Sequence, residues 1–514
     1  MLQIKNLTIT HKKDLRELIR GLSFTLNAGD KIAVIGEEGN GKSTLLKLIF
    51  DERLTEDYAE YTGEIHKAGL RLGYLSQELT PEQKRRTIYE FCADQPGFLD
   101  LSPREVADAA HEVGLPEELL YADRPVESLS GGERIKLQLA CLLMEQPDAL
   151  LLDEPSNDID VETLEWLENF ILSSEAPVLF VSHDETLIEK AANGVLHLEL
   201  VRRKTLPRAT IARIPYPQYI EERLNGLARQ EQMARKEASE HRKQMEKYRQ
   251  IFQRVEHEQR VISRQDPGGA RLLKKKMKAV KSMGRRLERE REDGTLPPDV
   301  EEAILADFDE SISLPSGKTV LDFRLDRLEA GERLLSRDIR LRITGPEKVV
   351  IIGRNGAGKT TLLRRIAQEL LARPDLKAAY MPQNYEELLE EALTPVEFLA
   401  PMRDGESITR ARTFLGSVKY TPEEMAHPIS GLSGGQKAKL LFMKMILDGC
   451  NVLVLDEPTR NFSPLSNPVI RRILQAYGGA IISISHDRKY IAQVCDRVLR
   501  LTSEGLLSVE QGKE

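Results

Sequence analysis

Two glycine-rich segments carry residue types that can bind phosphate. GEEGNGKS occupies residues 36–43 and GRNGAGKT occupies residues 353–360. Each follows a short apolar run and precedes a helical sequence, which is the strand–loop–helix context of a phosphate-binding loop. Glycines let successive backbone N–H groups point at the phosphates, and the helix N-terminus adds positive potential. The sequence therefore predicts two nucleotide sites, with Lys42 and Lys359 on the β- and γ-phosphates.

An Asp-Glu pair ends each of two further apolar runs, ALLL and VLVL. A carboxylate at a strand end can hold Mg²⁺, and the adjacent glutamate can orient the attacking water. A histidine follows a third apolar run in each half, in VSHD and ISHD, and we interpret it as a γ-phosphate contact. Single glutamines in YLSQ and YMPQ are predicted to contact Mg²⁺ or water. The predicted catalytic residues are Glu154, Glu457, His183, His486, Gln77 and Gln383, and the predicted metal ligands are Ser43, Asp153, Thr360 and Asp456.

LSGG occurs twice, and each copy precedes an amphipathic helical sequence. Each copy therefore predicts another helix N-terminus suited to a phosphate. The predicted nucleotide-binding residues are Gly36, Glu37, Glu38, Gly39, Asn40, Gly41, Lys42, Ser43, Thr44, Ser130, Gly131 and Gly132, together with Gly353, Arg354, Asn355, Gly356, Ala357, Gly358, Lys359, Thr360, Thr361, Ser433, Gly434 and Gly435.

The motifs form a tandem repeat. From the LSGG serines to the histidines, corresponding residues lie 303 positions apart, whereas the lysines of the glycine loops lie 317 apart. The difference indicates loop-sized insertions, not an inserted domain. We predict an α/β protein of two cassettes joined by an antiparallel helical hairpin. The predicted domains are residues 1–215, 216–298 and 299–514, with the hairpin tip near 263–276.

The segment between the copies is rich in Arg, Lys, Glu and Gln, and its apolar residues follow heptad steps from Ile220 to Ile262. These steps predict a helix of about 65 Å at ~1.5 Å per residue. Residues 266–269, DPGG, predict a turn. A second apolar seam at Leu273, Met277, Val280 and Leu287 then predicts a returning helix, which Pro297-Pro298 ends. A solvated linker helix without a function of its own is the alternative.

The composition favours a soluble cytoplasmic protein. No apolar run approaches the ~20 residues that span a bilayer, and the N-terminus shows no signal-peptide pattern. The four cysteines never form a CxxC pair, which argues against a zinc ribbon, and a disulfide framework is not expected. The net charge of -8 argues weakly against nucleic acid, but a summed charge hides local blocks.

The combination of phosphate loop, glutamine, LSGG, Asp-Glu pair and histidine resembles the ATP-binding cassette (ABC) superfamily in both copies. This resemblance implies that the LSGG of one cassette completes the ATP site of the other. One site would pair Lys42 with residues 433–435, and the other would pair Lys359 with residues 130–132. ATP would hold the cassettes together, hydrolysis would release them, and the chain would be a monomer.

The sequence departs from that family pattern at two points. Asp160 follows the first Asp-Glu pair where the family usually has aspartate, but Ser463 takes the equivalent place in the second copy. The two sites are therefore expected to hydrolyse ATP at different rates. Neither copy shows an obvious aromatic residue before its glycine loop to stack on adenine, and His11 is a weak candidate. The preference for ATP over GTP stays open.

Two cassettes with an intervening hairpin resemble the ABC-F family of ribosome-associated ATPases. The resemblance implies a hairpin that reaches from the tRNA exit site toward the P-site tRNA and the peptidyl-transferase centre. Residues 271–291 hold ten Arg or Lys against two Glu, which predicts contact with an RNA backbone. The predicted RNA-binding residues are Arg264, Arg271, Lys274, Lys275, Lys276, Lys278 and Lys281.

Two branches of the resembled family and two other classes of ATPase are the alternatives. Within the resembled family, the chain fits both a housekeeping translation factor and a protein that dislodges ribosome-bound antibiotics. The energising subunit of a membrane transporter would use the same ATP chemistry, but it has no use for a basic hairpin. A DNA-repair ATPase is disfavoured because zinc-binding pairs are absent and the coiled coil is short. The resemblance to the ABC-F family implies rRNA and P-site tRNA as partners, without DNA or membrane, and the predicted cofactors are ATP and Mg²⁺.

Overall fold

The computed structural model describes residues 1–95, 98–157, 159–201, 206–261, 267–292, 295, 297–298, 308, 312–331 and 333–509. The chain divides into two compact units. One combines Met1–Tyr216 with Glu301–Glu514, and the other is Pro217–Val300.

In the first half of the larger unit, a parallel sheet is surrounded by helices. The strands are β1 (Leu2–His11), β2 (Glu17–Leu26), β3 (Lys31–Ile35), β4 (Ala59–His66), β5 (Leu72–Leu75), β6 (Ala149–Asp153), β7 (Val178–Val181), β8 (Gly194–Leu200) and β9 (Leu206–Ala212). The helices are α1 (Lys42–Phe50), α2 (Pro81–Arg85), α3 (Ile88–Ala93), α4 (Pro103–Glu112), α5 (Gly131–Met144), α6 (Val161–Ser173) and α7 (Glu185–Ala191).

Two helices form the smaller unit. They are α8 (Tyr216–Val261), whose first residue still belongs to the larger unit, and α9 (Pro267–Glu292).

The second half of the larger unit repeats this arrangement. Its strands are β10 (Thr319–Ala330), β11 (Arg333–Thr344), β12 (Lys348–Ile352), β13 (Ala378–Met381), β14 (Val452–Asp456), β15 (Ala480–Ile484), β16 (Arg497–Thr502) and β17 (Gly505–Val509). Its helices are α10 (Lys359–Leu371), α11 (Pro395–Leu399), α12 (Gly405–Ser417), α13 (Pro422–Ala426), α14 (Gly434–Leu447), α15 (Asn467–Ala476) and α16 (Arg488–Val494).

The main sheets of the two halves have the same topology. Their strand orders are β5-β6-β7-β3-β8-β9 and β13-β14-β15-β12-β16-β17, and only the last strand of each is antiparallel to its neighbour. The strands β3, β6, β14 and β15 are buried along their whole length, because both sheet faces are covered. Each glycine loop follows an inner strand, at the edge where the parallel strands end. The predicted α/β fold with two cassettes is confirmed.

A smaller antiparallel sheet accompanies each main sheet, and here the halves differ. The order is β2-β1-β4 in the first half, whereas β10 and β11 form a two-stranded sheet in the second. The additional strand β4 lies between the glycine loop and the glutamine of the first copy. It accounts for most of the extra length that the motif spacing revealed there.

The helices α8 and α9 pack against each other as an antiparallel pair. Val255, Met277 and Val280 form a buried cluster between them. Further along, the His241 ring Nε2 lies 3.1 Å from the Leu287 carbonyl oxygen. A Cβ at Gly284 would lie 2.7 Å from the hydroxyl oxygen of Tyr248, so glycine permits this close approach. The predicted long helix and its return are confirmed.

Two details of the hairpin prediction are wrong. Residues 267–269 begin α9 instead of forming a turn, because proline is well tolerated in the first turn of a helix. Leu224, a predicted seam position, is 60% exposed. The reason is length: α8 has 46 residues and α9 only 26, so the beginning of α8 extends past its partner. Asp266 and Arg264 lie outside the described residues.

Within α9, the basic residues predicted to contact RNA are solvent-exposed. Leu273, Met277 and Val280 face α8 and are buried, whereas the residues between them point to solvent. The exposed cations include Arg271, Lys274, Lys275, Lys276, Lys278 and Lys281. Among the described residues, no helix is long and apolar enough to cross a membrane.

Candidate nucleotide sites

The first glycine loop is held in the shape of a phosphate cradle. Gly36 has φ 147°, and a Cβ there would lie 2.1 Å from the Leu198 carbonyl oxygen, so only glycine fits. The lysine that begins α1 curls back over the loop: Lys42 Nζ donates to the carbonyl oxygens of Gly36 (2.9 Å) and Glu37 (3.1 Å). The ammonium group thereby faces the space that the loop encloses.

The second loop has the same geometry. Lys359 Nζ donates to the carbonyl oxygens of Gly353 (2.7 Å) and Arg354 (3.1 Å). The φ of Gly353 is 153°, close to that of its counterpart in the first copy. The two loops, 317 residues apart, are thus built alike, and each presents one buried ammonium group to a phosphate.

Side-chain oxygens that can coordinate Mg²⁺ lie beside each loop. Ser43 Oγ donates to Asp153 Oδ1 at 2.9 Å. In the second copy the Asp456 Oδ2 atom is buried and has no hydrogen-bond partner among the described residues. Burial raises the pKa of both Asp153 and Asp456. Because a nearby divalent cation would stabilise these carboxylates, and Mg²⁺ prefers oxygen ligands, the residues present fit this ion.

Glu154 and His183 form a buried charged pair. The His183 Nε2 and Glu154 Oε1 atoms are 2.9 Å apart. Burial works to raise the pKa of Glu154, but the positive charges of His183 and Lys42 outweigh it and hold that pKa below its ordinary value. For His183, burial works to lower the pKa, but the charge of Glu154 prevails and raises it. The carboxylate is therefore ionised and can accept a proton.

The equivalent pair in the second copy is looser. The His486 Nε2 and Glu457 Oε1 atoms lie 3.7 Å apart, although the His486 backbone N–H donates to Glu457 Oε2. Burial and the neighbouring charge of Asp456 raise the pKa of Glu457 to about 8. At neutral pH this carboxyl is mostly protonated, so the two glutamates differ in charge.

This difference predicts opposite effects on stability. The folded-state pKa of Glu457 is raised, so its contribution to stability is complete below pH 4.5 and is lost as the pH rises through about 8. In nucleotide-free protein, the free energy of unfolding of Glu457→Gln should therefore rise by about 4 kcal/mol relative to that of wild type between pH 5 and pH 8.5. Urea unfolding at both pH values measures the gain.

Glu154→Gln is the matched control. Its folded-state pKa is lowered, so its stabilising effect is present above pH 4.5 and disappears as the pH falls through the folded value. The variant should be less stable than wild type at pH 7, and the gap should narrow in acid. A loss of stability at pH 8.5 in Glu457→Gln would contradict the asymmetry.

Each glycine loop faces the LSGG segment of the other copy. A cavity of about 340 Å³ is lined by Lys42, Gln77 and Glu154 from the first copy and by Ser433 from the second. A second cavity, of about 630 Å³, is lined by residues of the opposite pairing, namely Lys359, Gln383, Glu457, His486 and Gly131. The structure thus brings the predicted residues together in two composite sites.

The LSGG serines begin helices. Ser130 and Ser433 cap α5 and α14, each accepting a hydrogen bond from the backbone N–H three residues on. The following glycines permit close packing: a Cβ at Gly132 would lie 2.5 Å from Thr163 Oγ1, and one at Gly435 would lie 2.7 Å from the Asn461 carbonyl oxygen.

Direct hydrogen bonds cross between the copies at the first site. Glu38 Oε2 accepts from the Gly435 backbone N–H at 2.7 Å, and the His183 Nδ1 lies 2.7 Å from the Phe462 carbonyl oxygen. The buried Glu37 carboxylate accepts hydrogen bonds from the hydroxyls of Ser463 and Ser466. The side chains of Glu37 and Glu38 therefore reach the opposite cassette, which the assignment of these two residues to nucleotide binding did not anticipate.

The contact with Glu37 explains why Ser463 stands where the family usually has aspartate. An aspartate there would place a second carboxylate beside Glu37, whereas the serine hydroxyl donates to it at 2.8 Å. At the other site, the loop residue equivalent to Glu37 is Arg354, and Asp160 lines the same cavity as Arg354. Each pairing thus avoids a buried like-charge contact. The sequence already contained the signal for this compensation. The first copy has Glu37 where the second has Arg354, and the second copy has Ser463 where the first has Asp160.

A cluster of ion pairs also joins the two copies, and sequence reasoning missed it. Arg471 on α15 donates to Glu185 of α7 through its two terminal guanidinium nitrogens, at 2.6 and 3.1 Å, and both side chains are buried. Arg488 pairs with Glu168, and Lys489 lies 3.1 Å from Glu185. The paired residues lie 286 to 320 positions apart in the sequence, and no motif connects them, so the sequence carried no signal of this contact.

His11, the weak candidate for stacking on adenine, is hydrogen-bonded through its ring Nδ1 to Asp14 at 2.8 Å. It is not among the residues that line either composite cavity.

Comparison with known proteins identifies the class. The family model described as ABC transporter matches residues 19–157 and 336–460, one segment in each copy. Since these segments make up half of the chain, the protein belongs to this family, and it is an ABC-type ATPase with two ATP-binding cassettes.

The relatives confirm the resemblance to the F branch of the family. ABC transporter F family member 2 of Arabidopsis thaliana is 26% identical, over 95% of this chain and 75% of the relative. Ribosome protection protein VmlR of Bacillus subtilis (strain 168) is 27% identical, over 98% of this chain and 88% of that protein.

A solved structure shares the fold. The archaeal ribosome recycling factor aABCE1, in complex with the stalk protein aP1, superimposes with a TM-score of 0.57 at 16% identity. The match covers 99% of this chain and 91% of that one.

Proposed function

We propose that the protein is a cytoplasmic ribosome-binding ATPase that acts as a ribosome protection or translation factor. It binds at the tRNA exit site, and its two-helix unit acts on the P-site tRNA and the peptidyl-transferase centre. The chain works as a monomer whose cassettes pair within the molecule. ATP with Mg²⁺ drives the pairing.

In this proposal each composite site binds one ATP. The glycine loops hold the phosphates through backbone N–H groups, and Lys42 or Lys359 neutralises their charge. Mg²⁺, held by Ser43 and Asp153 or by Thr360 and Asp456, would offset negative charge that develops on the phosphates. Gln77 and Gln383 lie in the same cavities and contact the ion or the attacking water.

The glutamates and histidines carry out hydrolysis. Glu154 is ionised and accepts a proton from the attacking water, and His183 keeps it charged. When ATP binds, one of the two ring nitrogens of His183 exchanges its present partner for the γ-phosphate. Glu457 and His486 act in the same way at the second site once the glutamate loses its proton. Because each site is completed by the opposite LSGG segment, hydrolysis weakens the contact between the cassettes.

One observation carries the ribosome proposal: α9 exposes a block of cations in a chain whose net charge is -8. The buried seam of α9 holds the helix against α8, so the cations are presented together on a firm support. Exposed Lys and Arg bind phosphate backbones by releasing counterions. The similarity to a ribosome protection protein supports the same partner and favours the protection branch.

Sedimentation with ribosomes tests the proposal. The double variant Glu154→Gln plus Glu457→Gln should bind ATP without turnover and stay closed, and it should therefore pellet with ribosomes in ATP but not in ADP. Toeprinting of the pelleted complexes would show which tRNA site is affected. If the ATP-loaded variant stays in the supernatant, the ribosome proposal is wrong.

Neutralising the basic block should weaken this binding. In the double variant, we expect the added changes Lys274→Gln, Lys275→Gln, Lys276→Gln and Lys278→Gln to lower ribosome affinity and to reduce the dependence of log K on log salt by up to about 3. Competition binding at several KCl concentrations measures both effects.

Four exposed glutamates of α8 provide the control. Changing Glu221, Glu222, Glu231 and Glu240 to Gln alters as many charges on the neighbouring helix and should leave the salt dependence unchanged or steeper. An equal loss of affinity in both variants would show that fold or solubility, not cation contact, explains the result.

The alternative function is the ATP-binding subunit of a membrane transporter, which the description of the family model favours. In that case the protein should float with membranes that contain a partner permease, and the α9 substitutions should have no effect there. Recovery of rRNA instead of membrane protein in pull-downs separates the two functions.

A further inference from the structure

The first glycine loop carries two carboxylates at positions where the second loop carries none. Glu37 and Glu38 correspond to Arg354 and Asn355, each 317 residues further along. Glu38 lies in the cavity of the first site together with Lys42 and Ser433. The additional negative charge of Glu38 inside this cavity opposes the binding of a phosphate.

The Glu38 carboxylate contacts the beginning of α14. Its Oε2 atom accepts the Gly435 backbone N–H at 2.7 Å, and a Cβ at Gly434 would lie 3.0 Å from the same oxygen. The first N–H groups of a helix have no carbonyl partner within the helix, and together with its positive potential they favour an anion. In the proposed mechanism the γ-phosphate of ATP occupies this place, so the carboxylate and the phosphate need the same N–H groups.

Glu37 fixes the direction in which Glu38 points. Its carboxylate is buried, accepts the hydroxyls of Ser463 and Ser466, and lies 3.9 Å from Lys439 Nζ. With the preceding residue anchored in the opposite cassette, the loop directs Glu38 toward α14. The second loop has the uncharged Asn355 in the equivalent place, where Lys359 Nζ lies 3.4 Å from Asn355 Oδ1.

We propose that Glu38 is a built-in competitor of the γ-phosphate and determines the relative ATP affinity of the two sites. In the absence of ATP, the site that contains Lys42 holds the N-terminus of α14 through a carboxylate, and ATP must displace that carboxylate to bind. The site that contains Lys359 has no such competitor in its loop. The first site consequently binds ATP more weakly and keeps the cassettes in contact when it is empty. This inference rests on the proposed nucleotide sites, but not on the ribosome as partner.

Exchanging the equivalent residues Glu38 and Asn355 between the two loops gives a pair of reciprocal variants. In the Glu154→Gln plus Glu457→Gln protein, equilibrium binding of radiolabelled ATP should resolve a tight and a weak site. Glu38→Asn should tighten the weak site roughly tenfold, and Asn355→Glu should weaken the tight site by a similar factor. Adding Lys42→Ala should abolish the site that Glu38→Asn affects, which identifies it.

ADP separates competition from a general change in the loop. It lacks the γ-phosphate, so Glu38→Asn should change ADP affinity less than threefold, on the order of 0.6 kcal/mol. Glu38→Gln, which keeps the shape and removes the charge, serves as a second variant if asparagine disturbs folding, and it should also tighten ATP binding.

The proposal is overturned if ATP affinity is unchanged or reduced in both Glu38 variants, or if ATP and ADP affinities change equally. Absence of any nucleotide binding in the parent protein would instead reject the proposed sites themselves. Failure to pellet with ribosomes would reject the proposed partner and leave this measurement unaffected.

Discussion

Replacing Glu154 by glutamine should lower ATP turnover at pH 7 by about 10²- to 10³-fold at the site that contains Lys42, whereas Glu457→Gln should cost much less at the other site. The reason is the protonation state of the two residues. His183 lies 2.9 Å from Glu154 and keeps it ionised, but His486 lies 3.7 Å from Glu457, whose pKa is raised to about 8. A carboxyl that already carries a proton cannot accept one from water.

The pH dependence of the single variants tests this explanation. Glu154→Gln leaves only the second site, so its remaining turnover should rise with pH, because the pKa of Glu457 is raised. Glu457→Gln leaves the first site, which should be nearly independent of pH around neutrality because the pKa of Glu154 is lowered. Steady-state phosphate release from pH 6 to pH 9 measures both profiles.

The control is Glu112→Gln, which changes an exposed carboxylate at the end of α4. It should match wild type at every pH. Equal losses from the two catalytic variants at pH 7, with parallel pH profiles, would show that the two glutamates work in the same charge state.

Replacing Arg471 by methionine should produce the largest loss of stability, about 3 kcal/mol. Arg471 and Glu185 are both buried and share two hydrogen bonds, so the change leaves an incompletely paired carboxylate inside the contact between the cassettes. The loss stays at the lower end of the usual range because Lys489 still lies 3.1 Å from Glu185. Urea unfolding followed by circular dichroism measures it.

The chain offers two matched comparisons for this prediction. Arg472 is the exposed neighbour on α15, and Arg472→Met should change stability by less than about 0.5 kcal/mol. The double variant Arg471→Met plus Glu185→Met removes both charges and should recover most of the lost stability. If the double variant is no more stable than Arg471→Met alone, packing and not the charged pair explains the loss.

Features that depend on residues close together in the chain could be predicted from the sequence. A glycine loop between an apolar run and a helix can adopt few conformations, so the phosphate cradles at Gly36 and Gly353 were predictable. Asp153 and Asp456 end buried strands, and their constant offset from the histidines placed them on equivalent strands. Heptad spacing likewise predicted α8 and its return, since side-chain burial repeats with the helical period.

The contacts between the two copies could be seen only in the folded protein. The partners of Glu37, Glu38 and Arg471 lie 286 to 429 residues away, and no spacing rule connects residues across a surface between domains. The charge states of Glu154 and Glu457 were likewise hidden from the sequence. Burial of Glu457 and the charge of the neighbouring Asp456 raise the pKa of Glu457. The charge of His183 outweighs burial and lowers the pKa of Glu154, and this histidine lies 0.8 Å closer to its glutamate than His486 does. Local sequence specifies which groups can react, whereas packing sets their charge and their partners.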